Sequence, residues 1–245
     1  MTNLKELLDL QFADDFCCTA AEVRSAENIF TVFEKREGQR AFCDGAFLQI
    51  ACVHGKFLAT GDAAVIARLE KSMKTASAPW LMDLGGLRRI DGMLKEFGYQ
   101  IGMAHPFYLA EKASAPRPVR GETKWYFGGE IEAFRGDGRF GEAYAFQPAC
   151  PDVMGVSLER EGQILGMAGA SRDSARMYQI GINVMPEGKG QGIGTYLVTL
   201  LKNKIIENGV LPFYGTAQSH IASQKVALAS GFAPAWAELY AGKIE

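Results

Sequence analysis

Four glycines, Gly188, Gly190, Gly192 and Gly194, alternate with Lys189, Gln191 and Ile193 in the stretch "NVMPEGKGQGIGTYL". An alternating run precedes them and a helix-like run follows. A strand, a glycine-rich loop and a helix start make an anion site, because the first-turn N–H groups of the helix are free and its dipole favours negative charge. Spacing then separates the known loops of this kind. A dinucleotide fingerprint needs G-x-G-x-x-G, and both possible phases put Ile193 or Thr195 where the last glycine belongs. A nucleotide P-loop needs G-x-x-x-x-G-K-[ST], but the lysines that follow a glycine (Lys56, Lys189, Lys243) precede Phe, Gly and Ile. The loop is then either a cradle for some other anion or a tight strand-to-helix turn.

Other chemistries find little support. His54, His105 and His220 share no H-x-x-x-H spacing, and Cys17, Cys18, Cys43, Cys52 and Cys150 lack zinc-ligand spacing, so no metal is expected. There is no G-x-S-x-G elbow, and no histidine is placed beside a cysteine. An odd cysteine count without C-x-x-C suits reduced, structural thiols and a cytoplasmic setting. The formal charge of −2 comes without a dense basic block, which argues against nucleic acid as a partner. No run reaches the roughly 18 apolar residues that span a bilayer. The first residues, "MTNLKELLDLQFADDF", carry acids where a secretion signal has an unbroken apolar core, so no membrane partner is expected.

The elements that must position the loop follow from periodicity. Met185 ends a run, "RMYQIGINVM", in which Tyr178, Ile180, Ile182 and Val184 share one face, as a strand requires. Ile193, Tyr196, Leu197, Leu200, Leu201 and Ile205 then follow helical spacing, with Gly209 as the stop. "VLPFYGT" reads as a strand, with Pro212 awkward in a central position. "IASQKVALASGF" reads as a short helix ended by Gly231, and "AWAELYAGKI" as a last strand. Upstream, "DVMGVSLER" and "QILGMAGAS" flank Glu161-Gly162 as a hairpin. The segment "EKASAPRPVRGETK" has the composition of an exposed connection, which divides the chain into domains 1–115 and 116–245. In the first domain, "AFLQIACV" and "KFLATG" read as strands around His54-Gly55. Asp62 caps the helical "DAAVIARLEKSMKTA", a second helix spans "GLRRIDGMLKEFG", and "YQIGMAHPFYLA" is a strand. That domain is α+β and carries no chemical signature.

The run Lys189-Gly190-Gln191-Gly192-Ile193-Gly194 resembles motif A of the GNAT acetyltransferase superfamily: Gln or Arg, two residues, Gly, one residue, then Gly or Ala. Lysine replaces the usual first residue. The strand end "NVMPE" before it and "SHIASQKVALASGF" after it look like the family's flanking pieces, so the resemblance covers roughly Asp152 to Phe232. It implies an α+β chain whose C-terminal part is a mixed, mostly antiparallel sheet flanked by helices. A smaller α+β domain precedes it, as in some bacterial members. It also implies acetyl-CoA (coenzyme A) as cofactor. Main-chain N–H groups from about Lys189 to Thr195 would hold the pyrophosphate, with the Lys189 ammonium and the Thr195 hydroxyl adding to them. The strands near Ile182–Val184 and Leu211–Gly215 would splay apart, which would make Pro212 tolerable. The pantetheine arm would lie in the gap against Ile182 and Val184, as an added strand does. An N–H near Val184 would stabilise the oxyanion.

The catalytic residues are marked less clearly. Many relatives use a tyrosine before the G-F pair as the acid that protonates the thiolate, and the matching position here is Ala227. Tyr214 is the substitute candidate, its alternative being packing; Glu142 is the candidate for the acceptor amine, its alternative being a solvated surface glutamate. His220 stands where relatives often have an asparagine that contacts the cofactor, and it is otherwise a polar helix start. Ser223 and Lys225 either contact a cofactor phosphate or face water; Asp173 and Glu187 are equally ambiguous. The expected activity is N-acetyl transfer to a small-molecule or peptide amine held between the domains. The alternative is a GNAT-like module that binds an acyl-CoA or another ligand without turnover.

Overall fold

The computed structural model describes residues 4–244. Its elements run α1 (Leu4–Asp15), α2 (Ala20–Arg24), β1 (Ile29–Val32), β2 (Leu48–Val53), β3 (Lys56–Gly61), α3 (Ala63–Met73), α4 (Leu84–Lys95), β4 (Tyr99–Leu109) and β5 (Glu122–Phe127). They continue with β6 (Asp152–Arg160), β7 (Gln163–Arg172), β8 (Met177–Val184), α5 (Ile193–Glu207), β9 (Leu211–Gly215), α6 (Ile221–Ala229) and β10 (Ala233–Lys243). Residues 5–107 with 234–244 form one compact unit, and residues 108–233 another.

In the first unit the strands follow the order β1, β3, β2, β10, β4. β1 runs parallel to β3, while β2 is antiparallel to both β3 and β10. The hairpin turn at His54-Gly55 has both residues at positive φ, 52° and 80°, as a two-residue type I′ turn demands. Asp62 caps α3 by accepting a hydrogen bond from the Ala64 N–H at 2.8 Å. Val65, Ile66, Leu69 and Met73 of α3 pack with Ile90, Met93 and Leu94 of α4 over Leu48, Ile50, Phe57 and Leu239 of the sheet. Membership of this unit by the terminal strand differs from the division at 115/116 read from the sequence. Burying Leu239 and Glu238 among the residues of β2 accounts for that placement.

Arg40, Asp15 and Glu238 of this unit are fully buried. Arg40 Nε donates to Asp15 at 2.5 Å, and its two terminal nitrogens donate to the Glu238 carboxylate at 3.1 and 2.7 Å. Gln49 and Trp236 complete the Glu238 shell.

The second unit orders its strands β9, β8, β7, β6, β5. All neighbours are antiparallel except β8 and β9, which run parallel. This is a mixed, mostly antiparallel sheet, as expected from the sequence. Helix α5 covers one face, where Ile193, Leu197, Val198, Leu201 and Ile205 meet Val156, Leu158, Ala168, Ala170 and Ile180. Tyr178, Ile182 and Val184 pack on the same cluster, as the period of β8 requires. The 3₁₀ segments at Gly128–Phe134 and Gly138–Phe140 cover the other face around Phe140, Tyr144 and Met167.

The segment expected to be a free connection is shorter and more firmly held than its composition implies. β5 begins at Glu122, inside it. Ser114 is exposed, yet its N–H and carbonyl bond Asn203 and its hydroxyl accepts from the buried Lys202 ammonium at 2.7 Å. Helices α1 and α2 and strand β1 lie in a stretch to which periodicity assigned nothing. A reciprocal capping box between Thr19 and Glu22 starts α2.

Candidate active site

The four glycines serve two different purposes. Gly190 and Gly192 sit at φ of 75° and 78°, backbone that other residues rarely adopt. Gly188 and Gly194 are there for closeness. A Cβ on Gly188 would fall 2.7 Å from the Leu165 carbonyl oxygen, and one on Gly194 would meet Val184 and Val226 at 3.3 and 3.4 Å. Gly194 thereby lets the first turn of α5 settle against β8. Gly192 is the N-cap of α5 and offers no side chain to its first-turn donors. The N–H of Lys189 is already taken by the Pro186 carbonyl and that of Gly188 by Met185. The row of open donors therefore starts at Gly190, one residue later than the sequence implied. Among the described residues, Gly190, Gln191 and Gly192 have no acceptor for their N–H groups. The Lys189 side chain is exposed beside them.

The register of β8 shows where a second set of donors opens. Met185 N–H bonds the Leu165 carbonyl, so Met185 and Leu165 are a hydrogen-bonded pair of the antiparallel β7–β8 ladder. Because such pairs alternate with non-bonded ones, the main-chain groups of Val184 and Ile182, opposite Gly166 and Ala168, turn away from β7. On that side β9 pairs with β8 only from Met177↔Leu211 to Gln179↔Phe213. Ile182 and Val184 lie past the last pair, at the edge of a gap between diverging strands. Pro212 is tolerated for a different reason from the one expected, since it lies inside the paired part, opposite Tyr178. Leu211 N–H bonds the Arg176 carbonyl, so the nitrogen of the next residue, Pro212, faces away from β8.

Glu142 and Tyr214 are brought to the same neighbourhood. Gly155, Gly169 and Gly181 stand side by side on β6, β7 and β8 in the ladder register. A Cβ on any of them would fall 1.7–2.0 Å from the Tyr144 hydroxyl, the Ala143 carbonyl and the Glu142 carbonyl respectively. This glycine row is a trough that admits the phenol of Tyr144 and the backbone of Glu142 and Ala143. Asn183 fastens it there, its side-chain oxygen accepting from the N–H groups of Glu142 and Ala143 at 3.0 and 2.8 Å. None of these four residues stood out in the sequence. Three glycines in a sheet otherwise rich in apolar residues were the available signal.

The Tyr214 hydroxyl and the Ser223 hydroxyl are 2.8 Å apart. Burial pushes the Tyr214 phenol above its ordinary pKa, the bond to Ser223 works the other way, and the Glu142 carboxylate adds to the rise. Glu142, itself exposed, is thus within Coulombic reach of Tyr214. Ala227 is fully buried in the core cluster that also holds Tyr214. Tyr214 arrives at α6 from β9 and bonds Ser223, one helical turn before Ala227, which brings a phenol to the helix that lacks one of its own.

The other candidates scatter. Thr195 is half-buried, and its carbonyl accepts from Thr199 and Ser230. His220 takes the N-cap position of α6 without a side-chain cap bond, and it and Lys225 are exposed. Asp173 is buried beside Ser171, while Glu187 is exposed next to the loop and its carbonyl accepts from Gln191. Burial raises the thiols of Cys18 and Cys150 to about 11 and that of Cys52 to about 12, so none is an activated nucleophile. Among the described residues no group of three His, Cys, Asp or Glu side chains could hold a metal, and no helix is long and apolar enough to cross a membrane.

The sequence model of the acetyltransferase (GNAT) family matches residues 124–232. Among curated proteins nothing matches. Among solved structures, a putative GNAT acetyltransferase from Novosphingobium aromaticivorans DSM 12444 is 16% identical, with a TM-score of 0.43 over 60% of this chain and 69% of its own. A GCN5-related N-acetyltransferase from Kribbella flavida is also 16% identical, with a TM-score of 0.48; this chain spans 63% of that protein's length and 63% of its own takes part. A GCN5-related N-acetyltransferase-like protein from Streptococcus suis 89/1591 is 12% identical at a TM-score of 0.47, over 98% of this chain and 100% of its own.

Proposed function

We propose, for a chain that carries a GNAT acetyltransferase-family domain over residues 124–232, an N-acetyltransferase that moves an acetyl group from acetyl-CoA directly to a primary amine of a small molecule or peptide. One observation carries this reading. The main-chain groups of Ile182 and Val184 lie beyond the last β9 partner, and they lead straight into a loop of open N–H donors. A ligand with amides along an arm and a pyrophosphate at its end suits that sequence of donors.

Acetyl-CoA supplies the acetyl group as a thioester. The N–H groups from Gly190 to Thr195 would hold the pyrophosphate oxygens, with Lys189 adding positive charge. The edge of β8 at Ile182 and Val184 bonds the arm's amides as it would bond an added strand. The Val184 N–H, turned away from β7, would serve a carbonyl oxygen that gains negative charge. Glu142 takes the proton that the amine nitrogen must lose. Tyr214, kept neutral by burial, gives its proton to the departing sulfur and regains one from solvent.

Ala227, where many relatives have a tyrosine, favours the second reading, a module that binds acyl-CoA without turnover. Two measurements decide. Calorimetry with CoA should give saturable binding, and thiol release from acetyl-CoA should depend on an added amine from a panel of small amines and peptides. Binding without release supports the second reading. No binding at millimolar CoA overturns both.

A further inference from the structure

We infer that Arg160 is a positioning residue that sets the shape of the glycine loop before the pyrophosphate arrives, an inference that rests on the acyl-CoA reading above. Arg160 is the last residue of β6. One of its terminal nitrogens donates to the Gln191 side-chain oxygen at 3.1 Å and to the Arg120 carbonyl at 2.9 Å. Gln191 in turn donates from its amide nitrogen to the Glu187 carbonyl at 2.6 Å. A continuous chain of contacts thus runs from Arg120 through Arg160 and Gln191 to Glu187. Val119 joins it from the same side, 3.7 Å from where a Cβ on Gly192 would be.

The physical need for such a clamp follows from the loop itself. Gly190 and Gly192 are the most permissive residues available, and they flank Gln191, so an unrestrained loop would lose much conformational entropy on binding an anion. Gripping the residue between them from outside removes part of that loss in advance, while leaving the backbone N–H groups pointing at the ligand. A guanidinium suits the task because one planar NH₂ group serves two acceptors in fixed directions. No carboxylate pairs with Arg160 among the described residues, so its charge stays available to the field at the loop. The Arg160 Nε–H is buried without an acceptor among those residues, so the side chain is oriented by its terminal contacts alone.

The test uses the full chain with Arg160→Met and Arg160→Lys, assayed with acetyl-CoA and with S-acetylpantetheine, which lacks the pyrophosphate and nucleotide. Arg160→Met should raise KM for acetyl-CoA about tenfold, the scale of one charge-assisted hydrogen bond, and leave kcat and the KM for S-acetylpantetheine unchanged. Arg160→Lys should recover only part of the loss, because it restores charge but not the two-point grip. The Kd for CoA, read by calorimetry, should move in parallel, and far-UV circular dichroism should match the parent chain. An unchanged KM and Kd for the coenzyme, or an equal rise with both thioesters, overturns the inference alone. A parent chain that binds no CoA and uses neither thioester overturns the acyl-CoA reading, and this inference falls with it.

Discussion

The two compact units put polar groups to different uses. In the unit of residues 5–107 and 234–244, Arg40, Asp15 and Glu238 are sealed from water and spend their hydrogen bonds on one another. Burial works against the Arg40 charge, but the two carboxylates outweigh it and hold the guanidinium cationic. In the unit of residues 108–233, main-chain donors at Gly190–Gly192 and at Ile182 and Val184 are left without protein partners or turned into a gap. A buried ion-pair network whose charges are turned on one another can specify architecture. An edge that stops pairing gives up ladder bonds and gains a place for another molecule's amides.

Breaking the closed network should cost the most. Arg40→Met leaves two buried carboxylates uncompensated, and a loss of about 3–5 kcal/mol is expected from urea unfolding followed by circular dichroism. A loss under about 1 kcal/mol would mean that the network is not what holds this unit together. Tyr214→Phe probes the open side. It should lower kcat about a hundredfold, within the usual range for a general acid, and leave the CoA Kd unchanged. Tyr214 must be protonated to act, and burial raises its pKa above the usual phenol value of about 10. The alkaline limb of the parent activity should therefore lie above the ordinary phenol range, and the variant should lack it. Gly181→Ala is the mildest test. The added methyl would sit 1.7 Å from the Glu142 carbonyl, pushing Glu142 out of place at a stability cost of about 1–3 kcal/mol. A kcat reduced about tenfold at unchanged CoA affinity is expected from steady-state rates and calorimetry. Unchanged kcat would remove Glu142 from the reaction.

Much of the second unit was legible because its signals are local. The alternation from Tyr178 to Val184 identified the face that packs on α5, and Glu161-Gly162 identified a turn that holds both residues at positive φ. The glycine trough was not legible. Gly155, Gly169 and Gly181 lie on separate strands, and only the register, with its irregularities at Asp152/Met154 and Leu158/Glu159, aligns them. Ser114 illustrates the same limit. Its neighbours read as a loose connection, and its grip on Lys202 and Asn203 depends on residues nearly ninety positions away.

The chain's own order of residues determined the glycine loop at the start of α5, because positive-φ backbone and close approach both call for glycine and a helical period follows it. It also determined the absence of a tyrosine at Ala227. Tertiary structure alone decided that β8 outruns its partner after Gln179. The same holds for the Glu142 backbone coming to rest on a glycine trough, and for the Tyr214 phenol reaching Ser223. Each of those depends on strand pairing between distant segments, and one residue of register shift would turn every side chain to the other face.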